Sequence, residues 1–187
     1  MTVSPSRSIA AVVGLLVFSA LSHADQPARS KTASKSPQHD ELARLVGSWD
    51  AAVHLQINGK ETIGKAKCEA KWILDENAVQ QEYNSIFMGA PLTIMQLLTY
   101  DADKKKFVEI HMSNRGGGAM VNEGTSADGG KEFKFAGQHW DPREKKEVPI
   151  RTVYTFEDND HFTLDWYMPG PDGKEIRQIH ITHARRK

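Results

Sequence analysis

Glu61-Thr62-Ile63-Gly64-Lys65-Ala66-Lys67-Cys68-Glu69-Ala70-Lys71-Trp72 is the stretch on which the reading of the fold turns. Glu61, Ile63, Lys65, Lys67, Glu69 and Lys71 fall on one parity, and Thr62, Gly64, Ala66, Cys68, Ala70 and Trp72 on the other. Side chains along a strand point alternately to its two faces, so the charged parity stands in water and the other faces a core. Two further stretches repeat the pattern. Trp49, Ala51, Val53, Leu55 and Ile57 oppose Asp50, His54 and Gln56; Phe162, Leu164, Trp166 and Met168 oppose Thr163, Asp165 and Tyr167.

Between such segments lie nine clusters of turn-forming residues: Asn58-Gly59, Asp75 to Asn77, Gly89 to Pro91, Asp101 to Lys104, Arg115 to Gly118, Asp128 to Gly130, Asp141-Pro142, Asp158 to Asp160 and Gly170 to Gly173. Each supplies the Gly, Pro, Asn or Asp that a tight reversal requires. Nine turns imply ten strands. No helix-length periodic segment lies among them, which excludes parallel crossovers. A meander of that length closes on itself and so loses its exposed edges. The predicted fold is all-β, a ten-stranded antiparallel up-and-down barrel. Its small inward residues at Thr62 to Ala70 either leave room for a ligand or let the wall pack against a neighbour. A cavity is the favoured reading, because ten strands enclose enough space to hold one.

Ahead of the barrel, Ser36-Pro37 has the form of an N-cap with proline at the first helical position. Asp40 and Glu41 suit the positive end of a helix, and Leu42, Leu45 and Val46 form one apolar stripe. A short helix ending at Gly47 is expected. Residues 25–35 read as a flexible polar lead. Residues 1–24 read as a secretory signal peptide: Arg7, an apolar run from Ile9 to Leu21, and Ser22-His23-Ala24 before the cleavage point. The run is too short to span a bilayer, which takes about 20 apolar residues. The expected location is the periplasm or the medium, and residues 36–187 form the one domain.

The 187-residue chain carries 24 Lys and Arg against 24 Asp and Glu, which gives no electrostatic footprint for nucleic acid or anionic lipid. No membrane span is expected in the mature chain. Its single cysteine, Cys68, forms no internal disulfide and reads as a buried small apolar residue.

Gly47-Ser48-Trp49, opening the first strand after a helix, resembles the Gly-x-Trp signature of lipocalins. In that superfamily the Trp closes the barrel floor under a basic residue of the last strand, a place open here to Arg185 or Arg177. A longer set of residues is similar to one family of bacterial exported proteins of the calycin group, catalogued as a domain of unknown function. The set runs through Trp72-Ile73-Leu74, Gln81-Glu82, Phe87-Met88-Gly89, Tyr100-Asp101, Glu123-Gly124-Thr125, Val153-Tyr154, Tyr167-Met168 and Gly170 to Glu175. The resemblance covers roughly residues 41–186. It implies a lipocalin-like barrel and no particular activity. His111 and His183 depart from the pattern, which implies a more polar lumen if both face inward.

The eight histidines lack the spacing of a metal site: His180 and His183 lie on opposite faces of a strand. Neither a metal nor a cofactor is expected, with haem held by His111 or His180 as the alternative. Glu109, His111 and Ser113 share a parity, as do Val121 with Glu123, and Arg151 with Val153 and Thr155. If these rows face inward, the charges must pair; otherwise they are ordinary strand surface. The candidate lumen residues are therefore Trp49, Trp72, Glu109, His111, Glu123, Arg151 and Trp166. Three functions remain open: a carrier of a small, partly apolar molecule, an enzyme using interior Glu, His and Arg for proton transfer, and a filled barrel with a structural or interaction role.

Overall fold

The computed structural model describes residues 36–57, 60–141 and 144–187. The expected signal peptide and polar lead lie outside these residues. Helix α1 (Pro37–Leu42) runs into a single 3-10 turn, Ala43–Leu45. Ten strands follow: β1 (Gly47–Ile57), β2 (Lys60–Ile73), β3 (Ala78–Phe87), β4 (Ala90–Asp101), β5 (Lys106–Ser113), β6 (Met120–Ala127), β7 (Glu132–Asp141), β8 (Lys146–Phe156), β9 (His161–Pro169) and β10 (Glu175–Arg185). Each pairs antiparallel with its sequence neighbours, and β1 pairs with β10 from Trp49↔Arg185 to Leu55↔Ile179. The sheet is thus a closed barrel, as the turn chemistry predicts.

The alternation of β2 is as expected. Ala66, Cys68 and Ala70 are buried while Lys65, Lys67, Glu69 and Lys71 are exposed. The opening helix is shorter than its apolar stripe implies. α1 ends at Leu42, and the tighter 3-10 turn carries Leu45 onto the barrel floor. Leu42 and Leu45 are both fully buried. The imidazole of His39 turns back on the helix start and accepts the Ser36 backbone N–H at 3.2 Å, holding that end closed.

The meander sorts the connections between two ends. Helix α1 and the β2–β3, β4–β5, β6–β7 and β8–β9 turns lie at the floor; the β3–β4, β5–β6 and β9–β10 connections lie at the mouth. The β3–β4 reversal uses Met88 and Gly89, both with positive φ (50° and 77°), the geometry that matches the twist of a hairpin. Some seams of the wall stop short of the mouth, the β8–β9 seam at Arg151↔Tyr167 among them. β2 and β3 pair only from Ala66↔Ser85 to Ile73↔Ala78, so Lys60 to Lys65 are held by β1 alone. The core is continuous along the floor half, where Leu98, Phe133, Phe135, Tyr154, Phe162 and Leu164 are each at most 1% exposed.

Candidate ligand-binding lumen

The floor is made by Trp49, whose indole N–H donates to the Leu45 carbonyl at 2.8 Å. The Arg185 guanidinium lies 4.0 Å from the Trp49 ring centroid and donates to the carbonyls of Val46 (2.7 Å), Arg44 (3.2 Å) and Asn159 (2.9 Å). The last strand therefore supplies Arg185 to the floor. Arg177 is on the outer wall beside Asp165, at 3.4 Å. Gly47 is required beneath this plug. Its φ is 137°, and a Cβ there would stand 2.1 Å from Arg185 Nη1. Phe162 meets the Trp49 ring edge-on at 4.8 Å, and His183 stacks on Phe162 at 3.8 Å. Trp72, half-buried, packs against the same core. Trp49 and Trp72 are thus part of the packed floor.

Above the floor, on the β5–β8 side, Glu109 is fully buried and saturated with donors. The Tyr154 hydroxyl donates to Oε1 at 2.6 Å; Asn122 Nδ2 and Thr152 Oγ1 donate to Oε2, each at 2.8 Å. Asn122 is brought to the carboxylate by packing over Gly137, where a Cβ would lie 2.0 Å from Asn122 Oδ1. Burial raises the Glu109 pKa, and the three hydrogen bonds pull it the other way. Across the lumen the Tyr83 hydroxyl lies 3.0 Å from His183 Nε2. Burial pushes the Cys68 thiol up to about 12, so it is a packed thiol rather than a nucleophile, and draws His183 down to about 3.

The rest of the lumen is open. A cavity of about 470 Å³ extends towards the mouth, bounded by β1–β5, β9 and β10. Its walls are largely aliphatic, with Val53, Leu55, Ile94, Leu164, Ile179 and Ile181 among them. It reaches the gap between β2 and β3, where Ile63, Ile86 and Met88 are exposed. The small inward residues of β2 have both expected roles at different depths: Thr62, Gly64 and Ala66 border the cavity, while Cys68 and Ala70 pack in the core. Of the polar side chains that line it, Tyr83 and Ser85 among them, three gather on the wall formed by β4, β5 and β9. Gln96 is 1% exposed, with Nε2 turned towards Glu109 Oε1 and His111 Nδ1, both at 3.5 Å, and with Oε1 unpartnered. The His111 ring meets Trp166 edge-on at 4.9 Å, and the buried Trp166 Nε1–H has no protein acceptor. Burial, with a smaller effect of His139, lowers His111 to about 4, leaving it neutral at physiological pH.

A second depression, about 870 Å³, lies over the outer wall from β10 to β3 and is lined mostly by outward-facing residues such as Asp50, Lys65, Lys67 and Thr182. It is open to solvent, and His183 and Ser85 of the inner rows also line it.

Residues 34–185 match the model of a family described as "Protein of unknown function (DUF1579)". This chain belongs to that family. No curated protein sequence matches the chain. Among solved structures, Rv2717c from M. tuberculosis is similar at 13% identity with a TM-score of 0.61, over 81% of this chain and 99% of its own. The S-type phycobiliprotein lyase CPES from Guillardia theta is similar at 13% identity with a TM-score of 0.57, over 79% and 92%. At that identity the likeness is one of fold alone, that of a β-barrel.

In this DUF1579 member, the polar rows noted in the sequence separate. Glu109 and His111 face inward. Glu123 stands outside, with Lys104 at 3.3 Å and Lys106 at 3.0 Å. Arg151 is also outside, forked onto Glu175 and 3.9 Å from the Tyr167 ring centroid. The parity rule groups residues on a face but leaves open which face is inner, and these two rows took the solvent side. His180 is likewise on the outer wall, 2.6 Å from Asp165, away from any lumen ligand. The interior Glu, His and Arg set is therefore not assembled. Sequence reading missed Gln81, Gln96, Asn122 and Thr152, all buried and polar. Uncharged polar residues on a strand carry no signal that separates an inner row from surface. Among the described residues, no group of three or more His, Cys, Asp or Glu is placed to hold a metal. No helix there is long and apolar enough to cross a membrane.

Proposed function

We propose that this protein is exported and carries a small, partly apolar molecule in the barrel lumen. The observation that supports this most directly is the aliphatic cavity of about 470 Å³ with two unpartnered polar atoms, Gln96 Oε1 and Trp166 Nε1, buried beside it. An apolar pocket of that size with a few convergent polar groups is the usual form of a small-molecule site. An unpaired buried polar atom is costly, about 1–3 kcal/mol, and a bound partner removes that cost. The lyase likeness agrees with this reading at the level of fold. The floor, with every polar atom of Trp49 and most of Arg185 engaged, is the rigid base against which such a molecule would rest.

Native mass spectrometry of the protein purified from its own host, before and after denaturation, tests the proposal. The expected result is a mass excess that denaturation releases. A clean apo mass in repeated preparations, together with no binding of the neutral apolar probe N-phenylnaphthylamine, would overturn it. Export is tested separately by sequencing the N-terminus of that material, which is expected to begin at Asp25.

A further inference from the structure

Three polar groups meet at the cavity wall, and their unused hydrogen-bonding capacity specifies a complementary ligand head. Trp166 offers a buried N–H without an acceptor. His111 has Nδ1 turned to the Gln96 amide N–H2, which makes Nδ1 the acceptor of a neutral ring and leaves Nε2–H as a donor. Gln96 has its donor side turned to Glu109 and His111, and its Oε1 is a buried acceptor without a donor. The three are contiguous through the 3.5 Å Gln96–His111 approach and the 4.9 Å His111–Trp166 ring contact. A matching head group accepts from Trp166 and His111 and donates to Gln96.

Charge narrows the class. Among the described residues, the inward rows carry no Lys or Arg above Arg185, whose guanidinium is committed to the floor. Lys65 touches the cavity but is exposed on the outer row of β2. The other titratable groups near the three are Glu109, behind Gln96, His139, on the inner row of β7, and Tyr83 across the cavity, whose hydroxyl is turned to His183. An anionic head would meet Gln96 Oε1 and the Glu109 carboxyl with no compensating cation. A cationic head would meet two N–H donors, with both Glu109 oxygens already held by Tyr154, Asn122 and Thr152. Either charge would be buried and unpaired.

Resting on the carrier reading, we propose that the lumen selects an uncharged amphiphile: an aliphatic body whose single head both accepts and donates hydrogen bonds, a hydroxyl or a primary amide. The body fills the aliphatic walls towards the mouth, and the head docks on Trp166, His111 and Gln96.

The test is displacement of N-phenylnaphthylamine from the wild-type protein at neutral pH by dodecanol, dodecanamide, dodecanoate and dodecyltrimethylammonium. Dodecanol and dodecanamide are expected to displace it about a hundredfold more tightly than either ion, since a charge entering this site is unpaired. Dodecanoate is expected to gain about tenfold for each pH unit lowered towards its own pKa, because only the acid form fits. Trp166→Phe is expected to weaken dodecanol by about tenfold more than it weakens N-phenylnaphthylamine, the value of one hydrogen bond. Equal binding of an ion and the alcohol, no displacement by alcohol or amide, or equal losses of both ligands in Trp166→Phe would each overturn the head-group assignment while leaving a lumen carrier intact. No binding of N-phenylnaphthylamine itself would overturn the carrier reading and this one with it.

Discussion

The barrel interior holds two polar groups built on opposite terms. Around Glu109 both carboxyl oxygens are satisfied by Tyr154, Asn122 and Thr152, rings and aliphatic side chains close over them, and the cluster does not border the cavity. Around Gln96, His111 and Trp166 the wall is polar too, but buried acceptor and donor capacity is left over and the neighbouring space is open. The saturated cluster makes structure; the unsaturated one is available to recognise something. Burial alone does not separate them, since Gln96 and Glu109 are equally inaccessible. What separates them is where the unmade hydrogen bonds lie: Asn122 Oδ1 is left over inside the packed cluster, whereas Gln96 and Trp166 stand at the cavity.

The largest expected effect that sharpens this comparison is at the saturated cluster. Glu109→Ala strands three buried donors and is expected to cost about 3–5 kcal/mol in urea unfolding. Glu109→Gln, which keeps an acceptor, is expected to cost clearly less. Equal losses would show that the cluster is held by packing and not by its hydrogen bonds. Leu98→Ala in the packed half is expected to cost about 3 kcal/mol, against about 1 kcal/mol for Ile94→Ala at the cavity, where less packing is there to lose. Similar values for the two would mean the cavity collapses in solution.

Acid stability gives a third contrast. His183 titrates near 3 and His111 near 4 in the folded protein, both below the unfolded value of about 6.5. The unfolded chain then binds more protons between those values, so stability is present above about pH 6.5 and is lost as pH falls towards 4 and 3. For His183 the loss by pH 4 is on the order of 3 kcal/mol. Glu109 acts oppositely. Its folded pKa is raised, so its contribution is fully present below the unfolded value and is lost as pH rises through the folded one. Thermal unfolding from pH 7 to pH 4 should show net loss of stability in the wild type and a smaller loss in His183→Gln. An unchanged slope in the variant would remove His183 from the account. The smallest effect belongs to the outer wall: Arg151→Ala, which breaks an exposed pair with Glu175, is expected to cost under about 1 kcal/mol and to leave ligand binding unaltered.

The fold was legible because its evidence is local. Charges on alternate residues of β2, turn residues at regular spacing and Gly47-Ser48-Trp49 are visible without knowing any contact, and they led to ten strands, a closed meander and a floor. The site was legible only in part. His111 and Trp166 stand at the cavity, Trp49 lies on the floor where the Gly-x-Trp resemblance puts it, Trp72 packs against the same core, and Glu123 and Arg151 are on the outer wall. A row of alternating residues has no intrinsic inside. β5 turned Glu109 inward because three donors from β6 and β8 were waiting there, while on β6 and β8 Glu123 and Arg151 found partners in Lys104, Lys106 and Glu175 on the solvent side.

Sequence by itself determined the strand count and the antiparallel order, because period-two patterning and turn chemistry act over a few residues; the residue that plugs the barrel was legible only through the resemblance of Gly47-Ser48-Trp49 to the lipocalin signature. The tertiary structure alone decided which polar row is buried, where the packed half ends and the cavity begins, and that Gln96, His111 and Trp166 share one wall. Those depend on pairing across β4, β5 and β9, where residues up to 70 positions apart in the chain are brought together by barrel closure, and no local pattern records that meeting.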